Sequence, residues 1–293
     1  MYLVTGASGH LGQLVIDSLL NHHNIPANKI IATTRKPETL AALAAKGVQV
    51  RAADFDDTAG LAAAFKGAER LLLISTDAMD KPGRRLAQHR NAVAAAGKAG
   101  VKHILYTSMP NPETSAVLFA PDHLGTEKAI AASTLPGWTI LRNNWYFENL
   151  LHGVPQALAS GTWYSAAGDG KIAHLARADL AKAAAAALVG THSGKATYTL
   201  TGTRGYTTAE IARLVSDAVG KPLTVVQVPE EALVKGMTGA GLPEPVAKLF
   251  ASFDTNTKQG GLAISTGDVK TLTGSDPQNF EEWLAANKAA FAT

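Results

Sequence analysis

Three glycines at a spacing of three, Gly6, Gly9 and Gly12, follow the short apolar run Tyr2-Leu3-Val4 and precede a helical pattern of Leu11, Leu14, Val15 and Leu19. Strand, glycine turn and helix in this order form a phosphate-binding plan. Gly6 allows the tight turn, Gly9 lets backbone approach a pyrophosphate, and Gly12 lets the helix pack close to the strand. The free N–H groups and positive dipole end of the helix then face the phosphates. Ser8, His10 and Leu11 therefore join the three glycines as candidate cofactor-binding residues. Three glycines alone also describe a plain tight turn before a helix, so the rest of the chain has to decide.

It alternates. Strand character recurs at 29–34, 48–51, 71–74 and 103–107. Helical patterns separate these runs: one through Leu40, Leu43 and Ala44, one at 58–65, and a long one at about 83–99 that carries Leu86, Arg90, Val93 and Ala94. Alternation on so short a period implies βαβ units and an α/β fold, a Rossmann-like doubly wound parallel sheet. Right-handed crossovers place the carboxyl ends of its strands along one cleft. Past residue 108 the regularity loosens. A loop at 109–120, a helix at 122–133 and a sixth strand at 138–141 are expected, then short strands at 162–165 and 197–201. An alanine-rich helix follows Ala178, Thr207 and Thr208 with Glu210 open a capped helix, and 229–293 is mostly helical in pattern. The expected organisation is an NADP-binding Rossmann domain over 1–150, to which about 174–201 returns, with 151–293 mostly a small, mainly helical C-terminal lobe for the substrate.

Composition narrows the chemistry. The 293 residues contain no cysteine, which excludes disulfides, thiolate nucleophiles and zinc–thiolate sites; no metal is expected. Lys and Arg number 27 against 24 acids, a net charge of +3 too small and too scattered to argue for nucleic acid. No apolar run approaches the length of a membrane span. Strand character at residue 2 leaves no room for a secretory leader before it, so a cytoplasmic protein is expected, as monomer or homodimer.

The strand ends supply the other candidates. At the end of the second strand an acid selects NAD by binding the ribose hydroxyls, whereas a basic residue pairs with the 2′-phosphate of NADP. Here the residues are Thr33-Thr34-Arg35-Lys36, with no acid before Glu38. Arg35 offers a planar, always-charged fork, so NADPH is the expected cofactor, the alternative being that Arg35 and Lys36 are solvated turn residues. Asp54 and Phe55, ending the third strand, are placed beside the adenine, or else are a turn acid and a core aromatic. Ser75, Thr107 and Ser108 end the fourth and fifth strands along the same cleft, where hydroxyls either meet the nicotinamide half or make ordinary turns. On the next helix Lys128 shares a face with Leu124, and His123 beside it is a candidate proton donor, although a lone histidine is more often structural. Asn143 closes the sixth strand, followed by Trp145-Tyr146-Phe147. Tyr146 is a candidate pocket residue for a planar substrate, with core packing as the alternative.

The Thr5-Gly-x-x-Gly-x-x-Gly12 start, Arg35 and Lys128 resemble the NmrA-like branch of the atypical short-chain dehydrogenases. Val101 through Ser108, Glu127-Lys128, Leu141-Arg-Asn143, Trp145-Tyr146, Glu148-Asn149 and Ala166-Ala-Gly-Asp-Gly-Lys-Ile-Ala173 are similar to its quinone- and dye-reducing members in particular. The resemblance runs nearly end to end and is weakest over about the last 70 residues. It implies a Rossmann domain, NADPH held in part by Lys128 and Asn143, and a pocket for quinones or similar planar electrophiles. In short-chain dehydrogenases the lysine is normally preceded by a catalytic tyrosine four residues earlier; here that position is Leu124. Reducing an isolated ketone makes an alkoxide nearly as basic as hydroxide, of pKa ~16, whereas a quinone gives a phenolate-like anion of pKa about 10. The missing tyrosine therefore favours a conjugated acceptor, which needs little acid assistance. Two alternatives stand beside a quinone reductase: a non-catalytic NADP(H)-sensing regulator, and a specialised carbonyl or double-bond reductase on the same scaffold.

Overall fold

The computed structural model describes residues 1–291; Ala292 and Thr293, the end of the expected lobe, lie outside the described residues. In chain order the strands are β1 (Tyr2–Val4), β2 (Ile30–Thr34), β3 (Gln49–Ala52), β4 (Arg70–Leu73), β5 (His103–Ser108), β6 (Gly137–Asn143), β7 (Thr162–Ser165), β8 (Lys171–Ile172), β9 (Lys195–Leu200), β10 (Tyr206–Thr207) and β11 (Thr224–Gln227). The helices are α1 (His10–Asp17), α2 (Ala41–Ala45), α3 (Thr58–Ala64), α4 (Arg84–Lys98), α5 (Ala120–Ala131), α6 (Val154–Ser160), α7 (Arg177–Val189), α8 (Thr208–Val219), α9 (Glu230–Gly239), α10 (Glu244–Lys258), α11 (Asp268–Thr273) and α12 (Phe280–Asn287). None is long and apolar enough to cross a membrane.

Two compact units emerge. The first comprises Met1–Met109, Pro121–Asn143 and Leu180–Thr199; the second comprises Pro110–Ala120, Asn144–Asp179 and Leu200–Thr293. The loop at 110–120 thus groups with the second unit, which resumes at Asn144 and not after residue 150.

The first unit is built on a seven-stranded sheet of order β3-β2-β1-β4-β5-β6-β9. The pairings among β1 to β6 are all parallel. Trp138 N donates to Gly194 O and Asn144 N to Leu200 O, and the constant offset makes β9 parallel to β6 as well. All of β2 and β5 is buried, as strands covered on both faces should be. One core layer packs Leu3, Ile31, Leu71, Leu73, Ile104 and Ile140 against Leu61 of α3, Ala92, Val93 and Ala96 of α4 and Ile130 of α5. Each such Leu or Ile contributes roughly 1.5–3 kcal/mol by leaving water. Arg70 holds the end of α7: its guanidinium donates to Ala187 O, Leu188 O and His192 O at 3.2, 2.7 and 2.9 Å, so carbonyls left open by the helix terminus find a cation. Strand order reverses between β1 and β4, and in such sheets that switch point is where ligands bind.

The helix α4 turns a mixed face inward. The buried face carries Arg85, Gln88, His89, Ala92, Val93, Ala95 and Ala96, whereas Arg90 and Ala94 are exposed. Its first turns bury a polar set that finds partners inside.

The second unit has its own core of Phe147, Leu150, Leu158, Tyr206, Ile211, Phe280 and Trp283. The predicted capping box at Thr207 and Glu210 opens α8. The strand β11, unexpected from sequence, runs parallel to β7 with Val225 opposite Trp163. The segment 166–173 is fastened to α10: Asp254 accepts from Ser165 Oγ at 2.8 Å and Ala166 N at 2.7 Å.

Candidate active site

The glycine turn has the shape its spacing predicts. Gly6 sits at φ +58°, where side chains are strained. A Cβ on Gly12 would collide with Gly6 O and lie 2.8 Å from Ala7 Cα, backbone that cannot yield. Gly9 caps α1 and has no side chain to accept from the first-turn amides, so those donors are left for an anion. Ser8 and His10 are exposed beside it, whereas the Leu11 side chain is core and only its amide can face a ligand. The turn is braced from behind. Thr5 Oγ1 donates to Leu72 O at 3.1 Å, Ala7 N donates to Thr33 O at 3.0 Å, and Ser8 Oγ lies 2.9 Å from Thr34 Oγ1.

Arg35 and Lys36 follow β2 in exposed positions. Beyond β3, Asp54 Oδ1 accepts from Asp56 N at 3.0 Å, and the Phe55 side chain lies in the core, so this pair takes the turn-acid and core-aromatic alternatives in its side chains. Asp56 accepts from Arg84 at 2.6 Å and from Gln88 at 2.9 Å. Its carboxyl is held below the usual range, first by the Arg84 hydrogen bond, then by Gln88, with the Arg35 charge a minor cause.

At the next two strand ends the hydroxyls are engaged. Ser75 N donates to Thr107 Oγ1 at 2.9 Å. Ser108 Oγ donates to Glu127 at 2.6 Å, and Glu127 accepts two hydrogen bonds from Arg142, at 3.0 and 2.6 Å. Ser108 therefore braces β5 and β6 to α5 through a partly buried ion pair.

The helix α5 separates two roles. Lys128 is exposed, on the face it shares with Leu124. His123 is 4% exposed on the opposite face, with Nε2 3.0 Å from Arg85 Nη2 and Nδ1 2.8 Å from Tyr106 Oη. A guanidinium can only donate, so Nε2 accepts and the proton sits on Nδ1, turned to Tyr106. Burial, then the Arg85 charge, keeps His123 neutral, its pKa well below the ordinary value. Of the two readings of His123, proton donor or structural histidine, the structure favours the second, since the ring lies in the interior with both nitrogens occupied.

In the second unit Tyr146 bridges to Leu175, and the Arg177 guanidinium lies 5.1 Å from the centre of its ring. Glu148 accepts from Arg177 N. Trp145 belongs to a half-exposed aromatic group with Phe119 at 6.4 Å and Phe253 at 5.7 Å.

Sequence reasoning missed His89, Tyr106, Thr126 and Arg85, a buried polar set between α4, β5 and α5. The signal was present as polar residues at i, i+3 and i+4 on α4, a spacing that also describes a solvated face. A dinucleotide fits what is present. Besides the Gly12 cradle, Thr33 Oγ1, Thr76 Oγ1 and Asn143 Oδ1, at or just past the carboxyl ends of β2, β4 and β6, are buried with no hydrogen-bond partner.

A parallel sheet of this order with a glycine turn at its switch point defines a Rossmann-class nucleotide-binding fold. The chain belongs to the NmrA-like family, whose model matches residues 2–284. It is 42% identical over 274 residues to quinone oxidoreductase 2 of Escherichia coli (strain K12), covering 93% of this chain and 92% of that one. It superposes on the crystal structure of NADPH-dependent quinone oxidoreductase QOR2 of Escherichia coli complexed with NADPH with a TM-score of 0.91, at 39% identity and full coverage of both chains. The Citrobacter sp. triphenylmethane reductase complexed with NADP(H) matches with a TM-score of 0.90, at 35% identity and full coverage of both.

Proposed function

We propose that this chain is an NADPH-dependent reductase that transfers hydride to a quinone or a similar planar conjugated acceptor. The observation that carries this is the Gly6–Gly12 turn, backed by full-length likeness to relatives named as NADPH-dependent quinone oxidoreductase and triphenylmethane reductase. The first unit is the NADP-binding domain and the second the substrate-binding lobe. Gly6, Gly9 and Gly12 with the amides of Ser8, His10 and Leu11 hold the pyrophosphate, and Arg35 reads the 2′-phosphate. Asp54 and Phe55 border the adenine through their backbone. Ser75, Thr107, Ser108 and Asn143 line the nicotinamide half, and Lys128 holds its ribose.

When bound, the reduced nicotinamide supplies the hydride. The chain supplies alignment and exclusion of water. It has little proton chemistry to do: Leu124 has no acidic proton, and His123 is neutral and internally bonded. A hydroquinone anion has a pKa near 10, so water suffices, and Tyr146 is the candidate acid of the aromatic segment. Trp145, Phe119 and Phe253 offer ring faces and edges to a planar acceptor. The partner is this small molecule, not nucleic acid or membrane, and the protein is cytoplasmic, a monomer or homodimer that size-exclusion chromatography distinguishes.

The test is consumption of NADPH with benzoquinone and with a triphenylmethane dye, against NADH. Turnover with NADPH on either acceptor supports the assignment. Tight NADPH binding without turnover on any quinone or dye would point instead to a sensor of the cofactor.

A further inference from the structure

Just past β4, three consecutive amides are held by side chains from the turn after β1, from β5 and from α4. Ile74 N donates to Thr5 Oγ1 at 2.9 Å, Ser75 N to Thr107 Oγ1 at 2.9 Å, and Thr76 N to His89 Nε2 at 3.0 Å. The strand has ended at Leu73, and side chains take over its work of fixing the backbone.

The third pin is the unusual one. His89 on α4 is wholly buried. Accepting on Nε2 places its proton on Nδ1, which faces Thr126 Oγ1 at 2.8 Å; the Thr126 hydroxyl in turn donates to Asp122 O at 2.6 Å. Tyr106 packs edge-on against the ring, its centroid 5.4 Å away. Every donor in this chain has an acceptor, so the ring has one orientation and one tautomer. Burial holds the imidazole neutral, its pKa pushed down to about 3, and the acceptor on Nε2 persists at any working pH. At the far end of the chain stands a group with nothing to bind: Thr76 Oγ1 is buried and unpartnered. A buried hydroxyl without a partner costs about 1–3 kcal/mol, and the pinned amides hold the backbone that carries it.

We propose that His89 is a positioning residue for the dinucleotide, holding the Thr76 amide so that the Thr76 hydroxyl meets a ribose or phosphate oxygen of the bound cofactor. This rests on the NADPH assignment above. His89 touches no ligand itself and acts through Thr76.

The test is equilibrium binding of NADPH, followed by its fluorescence in the absence of any acceptor, alongside urea unfolding of the ligand-free protein. Thr76→Val removes the hydroxyl and keeps the shape. It should weaken NADPH about 5- to 10-fold while leaving unfolding unchanged or improved, because the hydroxyl has no internal partner to lose. His89→Phe keeps a ring and removes the acceptor; it should weaken NADPH by a similar factor and lower stability. His89→Gln, whose Oε1 can accept from the same amide, should recover most of both. The double variant Thr76→Val with His89→Phe should bind NADPH no worse than the weaker single variant, since both changes break one contact. Unchanged NADPH affinity in Thr76→Val would overturn the proposal, as would losses that multiply in the double variant. Failure of the unsubstituted protein to bind NADPH would overturn the cofactor assignment itself, and this proposal with it.

Discussion

The turn after β1 and the segment after β4 flank the point where strand order reverses, and they are shaped by opposite means. From Gly6 to Gly12 the geometry depends on side chains that are absent, with backbone packed on backbone at Gly12. From Ile74 to Thr76 it depends on side chains that are present, one each from Thr5, Thr107 and His89. The first leaves amides open and the second leaves a hydroxyl open. Thr5 joins them, since its hydroxyl donates to Leu72 O and accepts from Ile74 N. A loop made of absences tolerates no addition, whereas a loop made of pins tolerates the loss of one.

The largest expected effect attacks the first kind. In Gly12→Ala the new methyl meets Gly6 O and Ala7 Cα, neither of which can rotate away. Relief requires α1 to move off the turn, at a cost of roughly 1–3 kcal/mol in packing and more in binding as its amides leave the phosphates. NADPH affinity should fall about 100-fold or more, measured by fluorescence titration. A loss under tenfold would show that the turn is no more constrained than the pinned segment.

Next comes the cofactor's far end, where neither kind of loop operates. Arg35 is exposed past β2, and only its charge distinguishes it. Arg35→Ala should weaken NADPH roughly 10- to 100-fold, the worth of a charge-assisted contact. NADH should hardly change. Equal losses for both would remove Arg35 as the phosphate reader and return the whole selectivity to the loops.

The difference between the loops also decides what a sequence discloses. A turn built from missing side chains leaves glycines at fixed spacing, and these were legible at once, as were the alternating strands and the capping box at Thr207. A segment built from pins leaves no local mark: Thr5, His89 and Thr107 are far apart in sequence and meet only in the fold. His123 was left between two roles for the same reason. A histidine on a helix shows its chemistry in sequence, but not that Arg85 and Tyr106 have already taken both nitrogens. β11 went unseen because Thr224–Gln227 is four residues with only partial burial and too little pattern to register.

Acid separates the loops again, because a pin can titrate and a glycine cannot. His89 is pushed down to about 3, and His103 and His174 to about 4, each first by burial. A depressed folded pKa means that the unfolded chain binds the proton first. The stability these neutral histidines contribute is therefore complete above about pH 6.5 and is lost as pH falls through 4 toward 3. Each should remove about 2 kcal/mol between pH 6.5 and pH 5, seen as a falling urea midpoint. His89→Gln, with nothing to titrate, should flatten that fall by one histidine's share. An identical slope in this variant would mean that His89 is not the buried neutral base the geometry makes it.

The smallest effect tests the second unit, where an open surface is again the feature, this time aromatic. Phe253 meets Trp145 and Phe119 edge to face, Phe119 lies tilted by 30° against Trp145, and all three stay half exposed, although burying such rings would be favourable. If that surface is kept for a planar acceptor, the gain from stacking should grow with the area of the acceptor. Phe253→Ala should then lower kcat/KM for a three-ring dye about 3- to 10-fold and for benzoquinone less than 2-fold, the scale of one aromatic contact. NADPH affinity should not move. Equal losses on both acceptors would make the aromatic group simple packing, leaving Tyr146 and the strand ends to recognise the acceptor.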